Sequence, residues 1–271
     1  MFFSKDPGPL ILITECKGFP DLPMGCGRYN FQDMDKEWLG QIAVDLENAR
    51  AIERQTVLQS NSNEWREQRK LRLTSSKFGK INSRVKGANV SFYKAIFNSK
   101  NIGHIRSVSH GSANEKPALK IYATESAKRV NNFMVYDSGL VINPDLPHLG
   151  ATPDGKVYDP SSNPCYGLVE IKCPLTKKSQ TIEDAISDGD FYINRVDGKL
   201  ELKQKHKMGY YEQIQGQMAI TGLTWCDFVV YLSDSRQMAV LRVKFNEQYW
   251  NSLLLKLNKF YKHSIPYLKR M

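Results

Sequence analysis

Asp154 and the tripeptide Glu170-Ile171-Lys172 combine residue types that can hydrolyse a phosphodiester, and they lie sixteen residues apart. Two carboxylates brought to one place can hold a divalent metal ion and activate a water beside it. A nearby ammonium group stabilises the negative charge that develops on a phosphate during attack. The combination therefore indicates nuclease-like chemistry.

The strand that carries the tripeptide explains its spacing. The run from Tyr166 to Lys172 is apolar enough for a central strand, and it ends before Pro174, which cannot donate to a sheet. Successive side chains of a strand point to opposite faces, so Glu170 and Lys172 share one face while Ile171 points into a core. Two charges at the end of such a strand indicate a functional role.

A turn signal precedes that strand. Leu149 to Tyr158 consists of two short apolar pieces around Pro153-Asp154-Gly155, which is typical of a bend. A hairpin here would bring the Asp154 carboxylate beside Glu170. Taken alone, Pro-Asp-Gly is usually an ordinary turn and Glu-x-Lys an ordinary exposed pair, but their conjunction places three ionisable groups together and favours a functional site.

Length and composition indicate a compact enzyme. The chain has 271 residues, of which 41% are hydrophobic, enough for a sizeable core. It contains no apolar run near the roughly 20 residues that span a membrane, and its first residues lack the apolar segment of a signal peptide. The five cysteines are odd in number and scattered, which argues against a disulfide framework and predicts a reducing, intracellular compartment, either nucleus or host cytoplasm.

The charge balance predicts a polyanionic partner. The chain has 38 Lys and Arg against 28 Asp and Glu, a formal net charge of +10, and its pI is about 9.3. Such a balance favours nucleic acid. Two basic clusters, Trp65 to Arg72 and Lys199 to Lys207, could line a phosphate track, although either could equally be a solvated face.

The order of elements predicts a mixed central β-sheet flanked by helices, an α/β fold. Asp35 to Glu53 has the pattern of one amphipathic helix, and Asn61-Ser62-Asn63 caps the next. The pattern from 91 to 129 is helical with interruptions at Gly111 and Pro117. The remainder predicts a strand-rich centre (133–172), a polar connection with one short helix (175–205), a helix (206–221), two strands (225–232 and 238–243) and a final helix (247–262).

Two helical segments could contribute to the same site. Glu115 could supply a third carboxylate, although a lone Glu at such a position is usually exposed. Gln213 and Gln217 lie four residues apart and share a helix face, where their amides could hold a water or a phosphate oxygen. The alternative is that these glutamines are polar residues of an outer face.

Five ordered motifs together resemble one family, the lambda-exonuclease-like or YqaJ-type viral recombinase branch of the PD-(D/E)xK nucleases. The resemblance covers roughly residues 60 to 262, and the connection from Pro174 to Gln213 is longer than in the phage enzyme. The motifs are Trp65 to Ser76, Gly111 to Glu115, Pro153-Asp154-Gly155, Glu170 to Pro174 and Gln213-Ile214-Gln215.

The resemblance implies a metal site within a restriction-endonuclease-like core. Asp154 and Glu170 would be metal ligands together with the backbone carbonyl of Ile171, and Glu115 would bind a second metal ion or its water. Lys172 would orient or deprotonate the attacking water and stabilise the transition state. The oxygen-rich ligand set favours Mg²⁺, for which Mn²⁺ can substitute.

The resemblance also assigns roles in handling DNA. Gln213 would help to place the nucleophile or the phosphate, Arg69 would hold the 5′-phosphate of the degraded strand, and Ser76 would contact a nearby phosphate. The expected substrate is the end of double-stranded DNA. A ring of three copies and a strand-annealing partner protein are further implications, and no membrane association is expected.

We therefore predict a metal-dependent deoxyribonuclease, a 5′-to-3′ exonuclease in recombination or DNA processing. Residues 1–60 would form a partly helical extension and residues 61–271 the nuclease domain. Two alternatives stay open at this point. The same core could be a structure- or site-specific endonuclease, or a catalytically silent DNA-binding adaptor, against which the intact Asp154, Glu170 and Lys172 argue.

Overall fold

The computed structural model describes residues 19–24, 34–98 and 104–271. The α-helices of these ranges are α1 (Lys36–Ile42), α2 (Leu46–Gln55), α3 (Asn63–Lys70), α4 (Phe78–Asn82), α5 (Val90–Phe97), α6 (Arg106–Ala127), α7 (Ile182–Ser187), α8 (Tyr210–Thr221) and α9 (Glu247–Leu268). The strands are β1 (Leu73–Thr74), β2 (Met134–Tyr136), β3 (Leu149–Gly150), β4 (Gly155–Tyr158), β5 (Tyr166–Lys172), β6 (Ile193–Val196), β7 (Lys199–Leu202), β8 (Trp225–Leu232) and β9 (Gln237–Lys244). None of the described helices is both long and apolar enough to cross a bilayer.

A five-stranded mixed sheet in the order β2-β4-β5-β8-β9 forms the centre of the molecule. The β5–β8 pair is parallel, and the other neighbouring pairs are antiparallel. Strand β5 therefore lies in the middle with a hydrogen-bonded neighbour on each side. The predicted α/β class, a mixed sheet flanked by helices, is confirmed.

The alternation of side chains along β5 divides the core into two layers. Val169 and Ile171 pack with α6 on one face of the sheet, whereas Leu168 packs on the opposite face with residues of α8 and α9. All three side chains are fully buried. Each contributes about 1.5–3 kcal/mol of hydrophobic stabilisation, and the pattern leaves Glu170 and Lys172 on the face that α8 covers.

The segment before residue 60 is joined to this body. Trp38 belongs to the larger core cluster and donates its indole N–H to the Tyr261 hydroxyl of α9 at 3.0 Å. Glu53 of α2 forms a buried ion pair with Lys156 of β4 at 3.0 Å and accepts a hydrogen bond from the Gly139 backbone. The domain boundary near residue 60 stays a prediction, but α1 and α2 are packed against the sheet and the helices beside it.

The helical segments differ from the predicted pattern in two places. The helix expected over Asp35 to Glu53 is broken, because the Asp45 side chain accepts a hydrogen bond from the Asn48 backbone at 2.7 Å and starts α2 as a separate helix. Conversely, α6 runs without interruption through Gly111 and Pro117. Burial of its later turns against the sheet outweighs the local breaking tendency of these two residues.

The polar connection between β5 and α8 contains more structure than expected. The short helix after Thr181 is present as α7, with a capping box between Thr181 and Asp184. It is followed by the β6–β7 hairpin, which the sequence analysis missed. Its turn is Asp197-Gly198, and both residues have positive φ, 47° and 78°. Asp-Gly between strands is a strong signal for this turn type.

Close backbone contact between two glycines positions α8. A Cβ atom at Gly79 of α4 would lie 2.3 Å from the Cα of Gly209, the residue that caps the start of α8. Gly209 has a φ of 67°, a conformation that glycine adopts without strain. Further along α8, the Phe78 ring fills the space over Gly216. Only glycines allow the two helices to approach this closely.

We expect Gly79→Ala to destabilise the protein by about 1–3 kcal/mol, because the new methyl group would overlap backbone atoms that have little room to move. Gly40→Ala is the matched control: Gly40 also lies inside a helix, but a Cβ there has no neighbour within 4 Å. That control should gain roughly 0.5–1 kcal/mol from the better helix propensity of alanine. Urea denaturation measures both changes, and equal effects would contradict the proposed close contact.

Candidate active site

The bend before β4 places Asp154 against the end of β5. The Asp154 backbone N–H donates to the carbonyl of Val169 at 3.1 Å, and the Ile171 N–H donates to Oδ2 of Asp154 at 2.6 Å. These two bonds fix the carboxylate beside the Glu170-Ile171-Lys172 segment. The structure thus brings together the groups that the spacing singled out.

Glu170 is buried, and three side chains donate hydrogen bonds to it. Oε1 accepts from Lys172 Nζ at 2.5 Å and from Gln213 Nε2 at 2.5 Å, and Oε2 accepts from Gln217 Nε2 at 2.8 Å. The carboxylate is only 2% exposed, so these bonds replace the water that it loses on folding. Both glutamines are buried and turn towards the sheet, which excludes the outer-face alternative for them.

Burial has the largest effect on the pKa values at this site, and repulsion between the carboxylates adds to it. Burial and the charge of Glu170 raise the pKa of Asp154 well above its ordinary value, although Lys172 opposes the shift. Burial also raises the pKa of Glu115, with Lys172 lowering it and Glu170 raising it. Burial lowers the pKa of Lys172, but Glu170 and Asp154 outweigh this effect and raise it. Repulsion from Glu170 thus adds to burial at both Asp154 and Glu115, an arrangement that favours an added cation.

The donor atoms present fit a hard divalent cation. Asp154 and Glu170 offer carboxylate oxygens, and Oε1 of the buried Gln217 has no hydrogen-bond partner. Within the described ranges, no three His, Cys, Asp or Glu side chains converge closely enough to hold a metal ion by themselves. Any metal site here would therefore use two carboxylates, a main-chain carbonyl and water, a set that suits Mg²⁺ or Mn²⁺.

Lys172 and Gln213, which donate to Glu170, line a cleft of about 920 Å³. Glu115, Lys172, Gln213 and Tyr210 lie along its wall, together with Lys77 from the turn before α4. Glu115 comes from the middle of α6, so the cleft is bounded by helices on both sides of the sheet end. Its size leaves room for a nucleotide unit beside Glu115 and Lys172.

Arg69 forms a second part of the site. Its guanidinium stacks over the Trp65 ring, 3.8 Å from the ring centroid, and donates to the hydroxyls of Thr152 and Thr74 at 3.4 Å each. It forms no ion pair with any residue that the structure describes. Burial lowers the pKa of Arg69 to about 10, so it remains a cation at neutral pH. A half-buried cation that contacts only neutral groups is suited to binding an anion.

Ser76 and Lys77 connect the arginine to the cleft. The Ser76 hydroxyl is exposed and lies 3.5 Å from that of Thr74, to which Arg69 donates. Burial, together with the charges of Lys80 and Arg69, lowers the pKa of Lys77. Both Ser76 and Lys77 line the cleft that contains Lys172. Four of the predicted site residues therefore line one opening, namely Ser76, Glu115, Lys172 and Gln213.

Two positioning residues were not assigned to the site from the sequence. Thr152 accepts a hydrogen bond from the Trp65 indole at 3.1 Å through its hydroxyl and from Gln217 at 3.5 Å through its carbonyl. Gln217 was predicted to share a face with Gln213, where its amide could hold a water or a phosphate oxygen, but only Gln213 was assigned a role. The four-residue spacing of the glutamines was the available signal, whereas nothing local distinguishes Thr152. Gln215, between them, bonds instead to the backbone of Lys244 and Asn246.

The chain matches the model of the YqaJ-like viral recombinase domain over residues 64–224. That match spans more than half of the sequence. The chain belongs to the YqaJ-like viral recombinase family. The family resemblance carried by the ordered motifs is thereby confirmed, and a comparison with curated proteins finds no match.

Solved structures show the same fold. The alkaline exonuclease LHK-Exo from Laribacter hongkongensis is 28% identical, with a TM-score of 0.54, over 77% of this chain and 97% of that one. A second structure of LHK-Exo, in complex with dAMP, gives a TM-score of 0.55. The shutoff and exonuclease protein of Kaposi's sarcoma-associated herpesvirus is 14% identical, with a TM-score of 0.53, over 87% of this chain and 75% of that one. These likenesses confirm the PD-(D/E)xK fold class.

We expect Gln217→Met to lower nuclease turnover about ten- to hundredfold, because Glu170 loses a donor to its charged oxygen and becomes less well oriented. Methionine fills a similar volume without donating. Gln215→Met is the control, since Gln215 supports only the start of α9 and the end of β9; it should lower thermal stability and leave turnover of the folded enzyme unchanged. Equal turnover in the two variants would remove Gln217 from the site.

Proposed function

We propose that this YqaJ-like protein is a divalent-metal-dependent deoxyribonuclease that degrades duplex DNA from its ends in the 5′-to-3′ direction, in recombination or DNA processing. Membership of the family and the 28% identity to an alkaline exonuclease support a nuclease acting on DNA. The observation that carries the proposal is the convergence of Asp154, Glu170 and Lys172 at the end of the central strand.

Asp154, Glu170 and the backbone carbonyl of Ile171 would hold the Mg²⁺ ion, which Mn²⁺ can replace, and Glu115 would bind a second ion or its water. The cation would supply charge neutralisation for the phosphate and a more acidic water. Burial and the charge of Glu170 both raise the pKa of Asp154, and a bound cation would offset both effects, which supports this assignment.

The chain's own groups orient the reaction. Lys172 donates from its ammonium group and lies where it can orient the attacking water or stabilise charge on the phosphate. Gln213 and Gln217 keep the Glu170 carboxylate in one position, so it need not reorganise when the phosphate arrives. Gln213 also faces the cleft and can contact the nucleophile or the phosphate.

The end preference in the proposal comes from Arg69. Its half-buried guanidinium stacks on Trp65 and would bind the 5′-phosphate, with the exposed Ser76 hydroxyl contacting a neighbouring phosphate. A terminal phosphate carries more negative charge than an internal one, so a cation held in this way favours DNA ends. Assembly as a ring of three copies and cooperation with a strand-annealing protein complete the proposal.

We expect Lys172→Ala and Asp154→Asn each to lower Mg²⁺-dependent release of nucleotides from linear duplex DNA by at least on the order of a hundredfold. Asparagine can still accept the Ile171 N–H, so Asp154→Asn keeps the local backbone bond. It also removes one of the repelling carboxylates, and its melting temperature should not fall.

The substrate control is covalently closed circular duplex DNA, which an exonuclease leaves intact. Cutting of the circle by the wild type would replace the exonuclease assignment with an endonuclease. Full activity in either variant, or equal activity in EDTA, would contradict the metal-dependent mechanism.

We expect Arg69→Ala to lower the preference for 5′-phosphorylated over 5′-hydroxyl ends about ten- to hundredfold, because a charge-assisted hydrogen bond to the phosphate is lost. Arg66→Ala is the control on the same helix; Arg66 is exposed and bonds to Ser60 and Asn63. Initial rates on the two kinds of end measure the preference. The same ratio in wild type and Arg69→Ala would show that the 5′-phosphate binds elsewhere.

A further inference from the structure

The positive charge of this chain is concentrated in two segments. Residues 68–114 and 248–271 together contain 15 of the 38 Lys and Arg residues and none of the 28 Asp and Glu residues. The rest of the chain therefore has more acidic than basic side chains. A solvated surface with mixed charges would not explain this separation, whereas a polyanion-binding surface does.

The fold brings these two segments together. Helix α5 packs on α9: the Phe92 and Phe260 rings meet edge to face at 5.6 Å, and the Tyr93 hydroxyl donates to the carbonyl of His263 at 3.2 Å. A cleft of about 490 Å³ lies between α9 and the segment that joins α4 to α5. The cationic side chains along it are those of Arg84, Lys86, Lys256 and Lys259. We call this the basic cleft.

The cations of the basic cleft are not neutralised within the described chain. Lys86 and Lys259 are exposed, and neither forms an ion pair with a described residue. Arg84 rests on the Phe92 face at 3.9 Å and donates to the carbonyl of Gly87. Lys256 donates to the neutral amide of Asn82 at 2.9 Å. No carboxylate lines the cleft, so several like charges face one opening that an anion would stabilise.

A row of basic residues connects the basic cleft to the active site. Lys77 lines the active-site cleft just before α4, Lys80 is exposed on that helix, and Arg84 lies two residues beyond its end at Asn82. The five residues of α4 rise about 7.5 Å, which corresponds to about two base pairs of duplex at 3.4 Å each. The two clefts therefore lie at opposite ends of one short helix, within reach of a single duplex.

We propose that the basic cleft binds the phosphodiester backbone of the duplex substrate a few base pairs beyond the end that is being cut. The inference rests on the proposed function and adds a second, non-catalytic DNA contact to it. The cleft positions the duplex through its phosphates and reads no sequence, because it offers cations rather than groups arranged towards base edges.

The test is charge reversal at two exposed residues, Lys86→Glu with Lys259→Glu; neither ammonium group forms a hydrogen bond or an ion pair with a described residue. Binding of a 5′-phosphorylated duplex is measured with Lys172→Ala also present in every protein, so that the DNA is not degraded. We expect affinity to fall on the order of tenfold and the slope of log K against log salt to fall by about two, because two phosphate contacts are lost. The control is Lys36→Glu with Lys120→Glu, two exposed lysines outside both basic segments, which should retain the wild-type slope.

Hydrolysis gives an independent readout. With Lys172 intact, the Lys86→Glu/Lys259→Glu variant should raise KM for the duplex about tenfold and leave kcat unchanged, because the reacting groups are untouched.

An unchanged KM and salt slope would overturn the proposal. Loss of affinity for single-stranded DNA alone would overturn the assignment to duplex, and a changed sedimentation mass would assign the cleft to contact between copies instead. If the proposed function itself were wrong, the wild type would show no Mg²⁺-dependent hydrolysis, a result that differs from all of these.

Discussion

The buried carboxylate of Glu170 is the constraint on which the site depends. An ionised group that is 2% exposed needs donors in place of water, and it obtains them from Lys172 on its own strand and from two glutamines on α8. Helix α8 must therefore lie across the end of β5. The contact between Gly79 and Gly209 permits that position, because any larger side chain would push the start of α8 away. A backbone contact thus sets the orientation of a reactive group.

The same helix links the carboxylates to the cation that would receive a DNA end. Thr152 lies two residues before Asp154, and it accepts hydrogen bonds from Gln217 and from Trp65. The Trp65 ring in turn supports the Arg69 guanidinium. Through Thr152, the two parts of the site are fixed at a constant separation. Hydrolysis close to a bound terminal phosphate requires this separation to be constant, because a small misplacement of the reacting groups lowers the rate by a large factor.

Local rules predict the part of the site that lies on β4 and β5. Strand alternation places Glu170 and Lys172 on one face, and the turn signal places Asp154 beside them, so that three residues determine the chemistry. The orientation of α8 is not predictable in this way. This helix is buried on every side, including at Gln213 and Gln217, so no polar stripe shows which side meets the sheet. Local signals mispredict the helices at Asp45 and at Pro117 in opposite ways. The capping carboxylate of Asp45 divides one predicted helix into two, whereas packing keeps α6 helical through Pro117.

A nuclease of this kind must hold a polyanion against a group of carboxylates. Here the carboxylates of Asp154 and Glu170 are confined to a bend and a strand end, while Arg69 and Lys77 occupy the surrounding helical segments. The acid-free stretch from 68 to 114 ends at Glu115, which faces the cleft. The basic side chains of the helices would attract the phosphates along the length of a bound duplex. The carboxylates would repel only the phosphate beside them, and a divalent cation would cancel this repulsion. The cations that attract DNA and the carboxylates that repel it thus lie mostly in different segments of the chain. The reaction requires the same separation in space.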